Sequence, residues 1–304
     1  MLAAVAKLRT GLSTPSAALG IAVMLFGIFL FALNDTIGKW LVATYSVGQV
    51  LLIRSLAALV ILAPFVWRAG IARLLRIEQP KLQAMRVAFS TGEVYCFYMA
   101  VTYLPLADVM TFWMAAPIYV AALSPFLLGE RVGWRRWLAI FIGFVGVIIA
   151  LQPSAATLTM PAVISIIGSF AFTFMMLTGR SLRATPDVTL VFWQIVGALL
   201  LGLVVAPLTW VAPSGFDYAL LALLGVVAMF AHICINRALK LADAATVAPF
   251  QYTLLFWAVI FGYLVFGDVP RTAMLAGAAI IIGAGLFIFF RSRRADRTEA
   301  DIEA

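Results

Sequence analysis

Apolar residues in this chain come in blocks of about twenty, and polar residues gather between the blocks instead of alternating inside them. Alternation at a period of 2 or 3.6 marks elements with one wet face, whereas long uninterrupted blocks mark helices surrounded by lipid. Charge, Pro and Gly punctuation separates ten such runs: Leu19 to Ala43, Gly48 to Trp67, Gln83 to Tyr103, Ala107 to Leu128, Trp134 to Leu151, Thr159 to Leu182, Val188 to Val211, Tyr218 to Leu241, Ala244 to Phe266 and Thr272 to Phe290. The expectation is an all-α polytopic membrane protein of ten transmembrane helices. The first run follows Lys7 and Arg9, as a secretory signal would, but it is 25 residues long and more spans follow. It reads as a retained helix.

Composition agrees. The chain has 304 residues, 64% hydrophobic and 11% charged, where a soluble domain carries about 25% charged residues. With a mean hydropathy of +1.08, a soluble globular fold is excluded. The formal net charge of +8 could suggest nucleic acid, but alternating the connections between two sides sorts it differently. Of the 21 Lys and Arg, 18 collect on one side, Arg271 alone falls on the other, and Lys39 and Arg54 lie within spans. By the positive-inside rule both termini are cytoplasmic. The basic residues form a fringe facing anionic lipid, with no nucleic-acid-binding module behind them. Cys96 and Cys234 both lie inside apolar runs, which gives no support to a disulfide framework or metal site.

A shift of 138 residues lays the fourth span and its approach on the ninth: Ala100 on Ala238, Ala107 on Ala245, Gly129 on Gly267, Glu130 on Asp268. A Gly-rich apolar helix follows each, with Gly143 and Gly146 in one half and Gly277, Gly283 and Gly285 in the other. The chain then divides into a cytoplasmic segment (1–18), two five-helix repeats (19–151 and 159–290) and a cytoplasmic tail (291–304). Five is odd, so the second repeat enters the membrane from the opposite side. Inverted repeats of this kind build secondary transporters, whose midplane site opens alternately to either side.

The phrases FALNDTIGKWL, with Asn34 and Lys39, then Arg54, YLPLADVMTFWMAAPIYVAALSPFLLGERV and APFQYTLLFWAVIFGYLVFGD resemble the drug/metabolite transporter superfamily, specifically proteins with two EamA-type domains. The resemblance runs from about Gly20 to Phe290. It implies ten helices, cytoplasmic ends, and a central cavity formed by the third, fourth, eighth and ninth helices with contributions from the first and sixth. It also implies a metabolite as cargo: amino acids, nucleotide-linked compounds, S-adenosylmethionine, or vitamins such as riboflavin. Asp35 departs from the family pattern, which is commonly uncharged at that place.

Ionisable residues deep in lipid cost about 2.5 to 3.5 kcal/mol each on insertion scales and need partners or water. Asp35 and Lys39 are four apart on the first span, in the order that favours an ion pair, and Arg54 lies at similar depth in the second. Asn34, Asp35, Lys39 and Arg54 thus form a candidate gating or charge network, with Asp35 stitching two helices together as the structural alternative. Glu93, near the midplane of the third span, is the leading substrate-binding candidate; with Arg86 assigned to the cytoplasmic fringe, no cation is expected within its own helix. A desolvated carboxyl there can carry a proton or pair with a cationic solute. Its alternative role is a bond to a neighbouring helix. His232 and Asn236 form an i, i+4 polar pair in the eighth span, and Gln251 is a polar group in the ninth. All three can bond a ligand or another helix. Tyr95, Tyr98, Phe112, Trp113, Tyr119 and Tyr252 supply rings for a flat metabolite, which places riboflavin first among the family's substrates, with amino acids or S-adenosylmethionine as alternatives.

No metal site, cofactor or catalytic group is expected. A lone histidine cannot assemble a metal site, and without GxxxxGK[ST] the energy comes from a gradient, protons being one candidate, or from the solute itself. Two other classes set the contrast. A lipid flippase would bind a headgroup phosphate through Lys39 and Arg54, and an intramembrane enzyme would need a nucleophile beside His232 that the sequence does not supply.

Overall fold

The computed structural model describes residues 15–70, 79–127, 134–151, 159–182, 185–241 and 248–302, together with Leu74 and Ile77. Among them every regular element is helical. The long helices are α1 (Pro15–Val42), α2 (Val47–Ala69), α3 (Pro80–Val101), α4 (Leu106–Met114), α5 (Ala116–Leu127), α6 (Trp134–Leu151), α7 (Met160–Ser181), α8 (Asp187–Val205), α9 (Gly215–Leu241), α10 (Thr253–Phe266) and α11 (Thr272–Ile302). Short 3-10 turns, Ala206–Thr209 and Ala248–Tyr252, follow α8 and precede α10. The segments 128–133, 152–158 and 242–247 lie outside the described residues. They include the Gly129–Val132 turn and the boundary between the expected repeats.

Local chemistry sets the ends of these helices. Ser46 caps α2 by accepting from the Gln49 amide at 3.3 Å, Pro80 opens α3 where no intrahelical donor is required, and Gly267 (φ 69°) closes α10 in the left-handed region. The fourth apolar run is not one helix. It breaks at Ala115 into α4 and α5, two residues before Pro117, which has no N–H to donate to the carbonyl of Trp113. The described part of the ninth run likewise opens with a 3-10 turn, Ala248–Tyr252, containing Pro249. The tenth helix continues through the expected tail as far as Ile302.

Five helices are long and apolar enough to cross a membrane: Ala18–Val42, Val47–Arg68, Met160–Gly179, Val188–Thr209 and Gly215–Ile235. Shorter apolar helices cover Leu106–Val120, Trp137–Ala150, Phe250–Phe266 and Thr272–Phe287. Helix α3 is in neither group, because Lys81, Gln83, Arg86, Ser90, Thr91 and Glu93 dilute it. It packs on α7 and α8, and although Lys81 is exposed, Gln83 and Ser90 are buried and Arg86, Thr91 and Glu93 half-buried, so most of its polarity is turned inward.

The halves interlock. With α4 and α5 together as the fourth span, the first span packs on the eighth and ninth, the second on the seventh and eighth, the third on the sixth and seventh, the fourth on the sixth, and the fifth on the tenth. Exchanging each span with the one five places on turns the 1–8 pair into 6–3, the 2–8 pair into 7–3 and the 1–9 pair into 6–4. The 2–7 and 5–10 pairs map onto themselves. In lipid, helices are held by close packing more than by hydrophobic expulsion, and glycines sit at the crossings. A Cβ on Gly225 would collide with the Arg54 carbonyl, and one on Gly277 would come within 2.5 Å of the Gly146 carbonyl. Outside, Val60, Phe141, Ile148, Val204 and Leu264 are each more than half exposed, as a lipid-facing surface requires.

Candidate functional site

The inward face of α3 organises the interior. Glu93 Oε1 accepts a hydrogen bond of 2.7 Å from the Trp113 indole. The Trp113 ring also meets Phe97 edge-on, with centroids 5.4 Å apart. The break after Met114 follows directly on this tryptophan, so the ring that holds Glu93 sits at the end of a rigid nine-residue helix. A turn beyond Glu93 on α3, the Tyr98 hydroxyl accepts a hydrogen bond from the Arg54 guanidinium, whose Cζ lies 5.4 Å from the Tyr98 ring centroid. Tyr98 is 1% exposed, and a Cβ on Gly38 would run into its ring. Asp35, one turn before Gly38, lies within electrostatic reach of both Arg54 and Glu93. The first, second, third and fourth spans thus bring two carboxylates, one guanidinium and an indole to a common interior.

The expected charge network is dispersed. Lys39 pairs with Asp268 at 2.6 Å rather than with Asp35, Arg54 turns to Tyr98, and Asn34 donates to the Leu224 carbonyl at 2.7 Å. Asp35 has no hydrogen-bond or ion-pair partner among the described residues. The local i, i+4 reading of Asp35 and Lys39 therefore gives way to a bond across the molecule, made because the α10–α11 connection brings Asp268 over the end of α1. Asp108 sits in the first turn of α4, where the helix dipole favours a carboxylate, and accepts from Arg271 at 2.9 Å. Both ion pairs join the first half to the second at the end of the bundle that carries the α1–α2 and α10–α11 connections. At that end Tyr45 donates to Asp217 at 2.6 Å, and the bonded carboxylate pushes the Tyr45 hydroxyl pKa up from its ordinary value.

The remaining candidates are scattered. His232 meets Phe31 edge-on at 4.8 Å and lies within reach of both Arg54 and Arg86. Tyr119 is 3% exposed and stacks on Phe170 with centroids 4.6 Å apart, a packing role between α5 and α7. Phe112 is buried. Tyr95 lies about 200° around the helix from Glu93 and so does not share its face. Gln251 and Tyr252 are half-buried in the 3-10 turn, with the Tyr252 hydroxyl against Gly285 of α11. The Asn236 side chain is outside the described residues.

Sequence reasoning missed Gln83 and assigned Arg86 to the cytoplasmic fringe, leaving Glu93's helix without a cation; the structure places both residues on α3 with Glu93. Among the described residues, the buried side-chain nitrogen and oxygen atoms without a partner are both amide atoms of Gln83, Nε of Arg86 and the Thr91 hydroxyl. All belong to α3. The available signal was the spacing of Arg86, Ser90, Glu93 and Phe97, which puts them on one helical face.

An interior lined by charged groups and rings, enclosed by apolar helices that face lipid, defines a membrane carrier. Comparison with known proteins makes the class specific. The EamA-like transporter family matches at residues 18–152 and 159–290, and the chain belongs to that family. It is similar to the S-adenosylmethionine uptake transporter of Rickettsia prowazekii (25% identity, 90% of this chain, 94% of the relative). It is also similar to the riboflavin transporter of Vibrio cholerae (28%, 92% and 95%) and the pseudopaline exporter of Pseudomonas aeruginosa (24%, 87% and 94%). A crystal structure at 16% identity shares the fold, with a TM-score of 0.62 over 93% of this chain and 99% of that one. The protein is a multi-pass small-metabolite transporter of the inner membrane.

Proposed function

We propose that this transporter works by alternating access, as ten transmembrane helices in two inverted five-helix repeats (19–151 and 159–290) between cytoplasmic ends at 1–18 and 291–304. The solute is held between the halves beside Glu93. The observation that carries the reading is the Glu93–Trp113 pair on the inward face of α3, with Asp35 and Arg54 beside it. A carboxylate placed at such cost in a membrane interior serves a solute or ion pathway. The pairing of spans, which survives exchange of the halves, supports the inverted repeat, and the sorting of Lys and Arg supports the cytoplasmic ends.

The cargo is a small organic metabolite with a flat aromatic portion, a property that riboflavin and S-adenosylmethionine share and that Trp113 and Phe97 suit. Glu93 also offers a place for a co-transported proton. No side chain has a catalytic role. Purified protein in liposomes moves a labelled metabolite of this kind without ATP; no movement of any solute in a broad metabolite panel would sink the carrier reading.

A further inference from the structure

The third span carries opposite charges at two places on one face. Arg86, Ser90, Glu93 and Phe97 follow the i, i+4, i+7, i+11 pattern of a single helical stripe. At 1.5 Å of rise per residue, Arg86 and Glu93 are about 10 Å apart along the axis. They are too distant to neutralise each other, and neither has an ion-pair partner among the described residues.

At the Glu93 end two carboxylates, Glu93 and Asp35, face one guanidinium, Arg54, which is already committed to the Tyr98 hydroxyl. Asp35 is left there without a hydrogen-bond or ion-pair partner among the described residues. At the other end, Arg86 keeps Nε buried without a partner, and its Nη1 reaches the Leu190 carbonyl only at 3.4 Å. One turn earlier, Gln83 is 2% exposed and neither its amide oxygen nor its nitrogen is bonded. Gly179 of α7 lies against this guanidinium, since a Cβ there would stand in contact with Nε at 3.4 Å. Buried polar atoms without partners are rare in native proteins, and a ligand is one thing that satisfies them. A guanidinium with an adjacent amide is a donor set for a carboxylate. Arg86 and Glu93 share one stripe of α3, so the two ends face the same side of that helix.

We propose that this stripe reads both ends of an amphoteric solute: Arg86 and Gln83 take its carboxylate, Glu93 and Asp35 take its cationic centre, and Trp113 and Phe97 cover its aromatic part. This rests on the carrier reading of the same site and narrows its cargo. A neutral flat solute would leave both charged ends unsatisfied, and a site built to bond a group rejects analogues that lack it.

The test uses S-adenosylmethionine, which carries an aromatic base, a carboxylate and a cationic sulfonium several bonds from that carboxylate, the centre assigned to Glu93 and Asp35; its decarboxylated form; S-adenosylhomocysteine, which keeps the α-ammonium beside the carboxylate but lacks the remote sulfonium charge; and riboflavin. Affinities are measured on the purified full chain, and uptake is measured in liposomes. The expected order places S-adenosylmethionine about tenfold or more ahead of either truncated analogue, with riboflavin weakest. Arg86→Gln should abolish the preference over the decarboxylated form while keeping the preference over S-adenosylhomocysteine. Glu93→Gln should do the reverse, and Arg86→Lys should restore part of the first preference. Each readout is a ratio of affinities, so a loss of folded protein does not imitate it. Preference ratios unchanged in Arg86→Gln, or transport of riboflavin or any other uncharged solute in place of S-adenosylmethionine, would overturn the proposal and leave the carrier reading standing. Immobility of every solute in the wider panel would remove both.

Discussion

At the scale of single residues, two side chains carry separable consequences. Glu93→Gln keeps an oxygen to accept from Trp113 but removes the charge, so packing should hold while transport falls at least tenfold or loses its dependence on pH. Proteoliposome uptake across a pH series checks this, and a wild-type profile would make Glu93 a helix-to-helix bond and nothing more. Gly38 acts through space instead of charge. Its missing Cβ admits the Tyr98 ring, and that ring is fixed from the other side by Arg54. Gly38→Ala therefore overpacks a site that cannot yield freely, at about 1–3 kcal/mol. The melting temperature in detergent should drop by several degrees. An unchanged value would mean that the ring moves aside. The sequence made Glu93 conspicuous, as an acid deep in an apolar run. Gly38 was invisible there, because the partner that requires it lies 60 residues away.

At the scale of elements, the apolar runs were legible almost throughout, since lipid demands long uninterrupted helices and little else produces them. The misfits are informative. The fourth run reads as one span but is α4 and α5, and the break places Trp113 at a helix end. The third run was read as a span like the others, yet α3 is the helix whose hydropathy falls short, because its polar side faces inward. Arg86 was read as part of the cytoplasmic fringe, for the charge sorting behind the proposed orientation counts basic residues without asking which face they occupy. The i, i+7 spacing to Glu93 was the signal that separated it from that fringe. Lys39 shows the opposite limit. Its nearest acid in sequence is Asp35, but its partner Asp268 is 229 positions away, and no local rule finds it. Helix crossings give a prediction of their own. The α6–α11 contact relies on Gly277 lying against the Gly146 carbonyl and the Ala150 backbone nitrogen, at 2.5 and 2.6 Å from where a Cβ would stand. Backbone cannot rotate away as a side chain can, so Gly277→Val should force the helices apart and lower the melting temperature more than Gly283→Val, where a Cβ meets nothing within 4 Å. Equal effects would mean that this crossing does not hold the fifth and tenth spans together.

For the whole molecule, the question is what ties the two halves together at one end of the bundle, which the proposed alternating access has to release. Lys39–Asp268 and Arg271–Asp108 are the two ion pairs formed among the described residues, and each joins the first half to the second at the same end. The Lys39 and Asp268 side chains are only 12% and 26% exposed, and Lys39 also lies 4.4 Å from the Phe266 ring centroid, so this pair is screened less than a surface bridge. If each pair favours the closed arrangement by about 1 kcal/mol, each shifts the balance between closed and open about fivefold. A shift of that size is large enough to measure and small enough for a solute to reverse. With Cys96 and Cys234 replaced by Ala, a single cysteine at Ala107, a buried position beside Asp108, reports opening through its reaction with a membrane-impermeant thiol reagent. Lys39→Met and Asp108→Asn should each raise the labelling rate severalfold, and together roughly multiplicatively. The exchanged pair, Lys39→Asp with Asp268→Lys, should bring the rate back towards the starting value, because it restores the attraction across the halves without restoring either residue. Labelling that ignores the single changes, or an exchange that labels as fast as the neutralised variants, would show that closure of this end depends on helix packing alone.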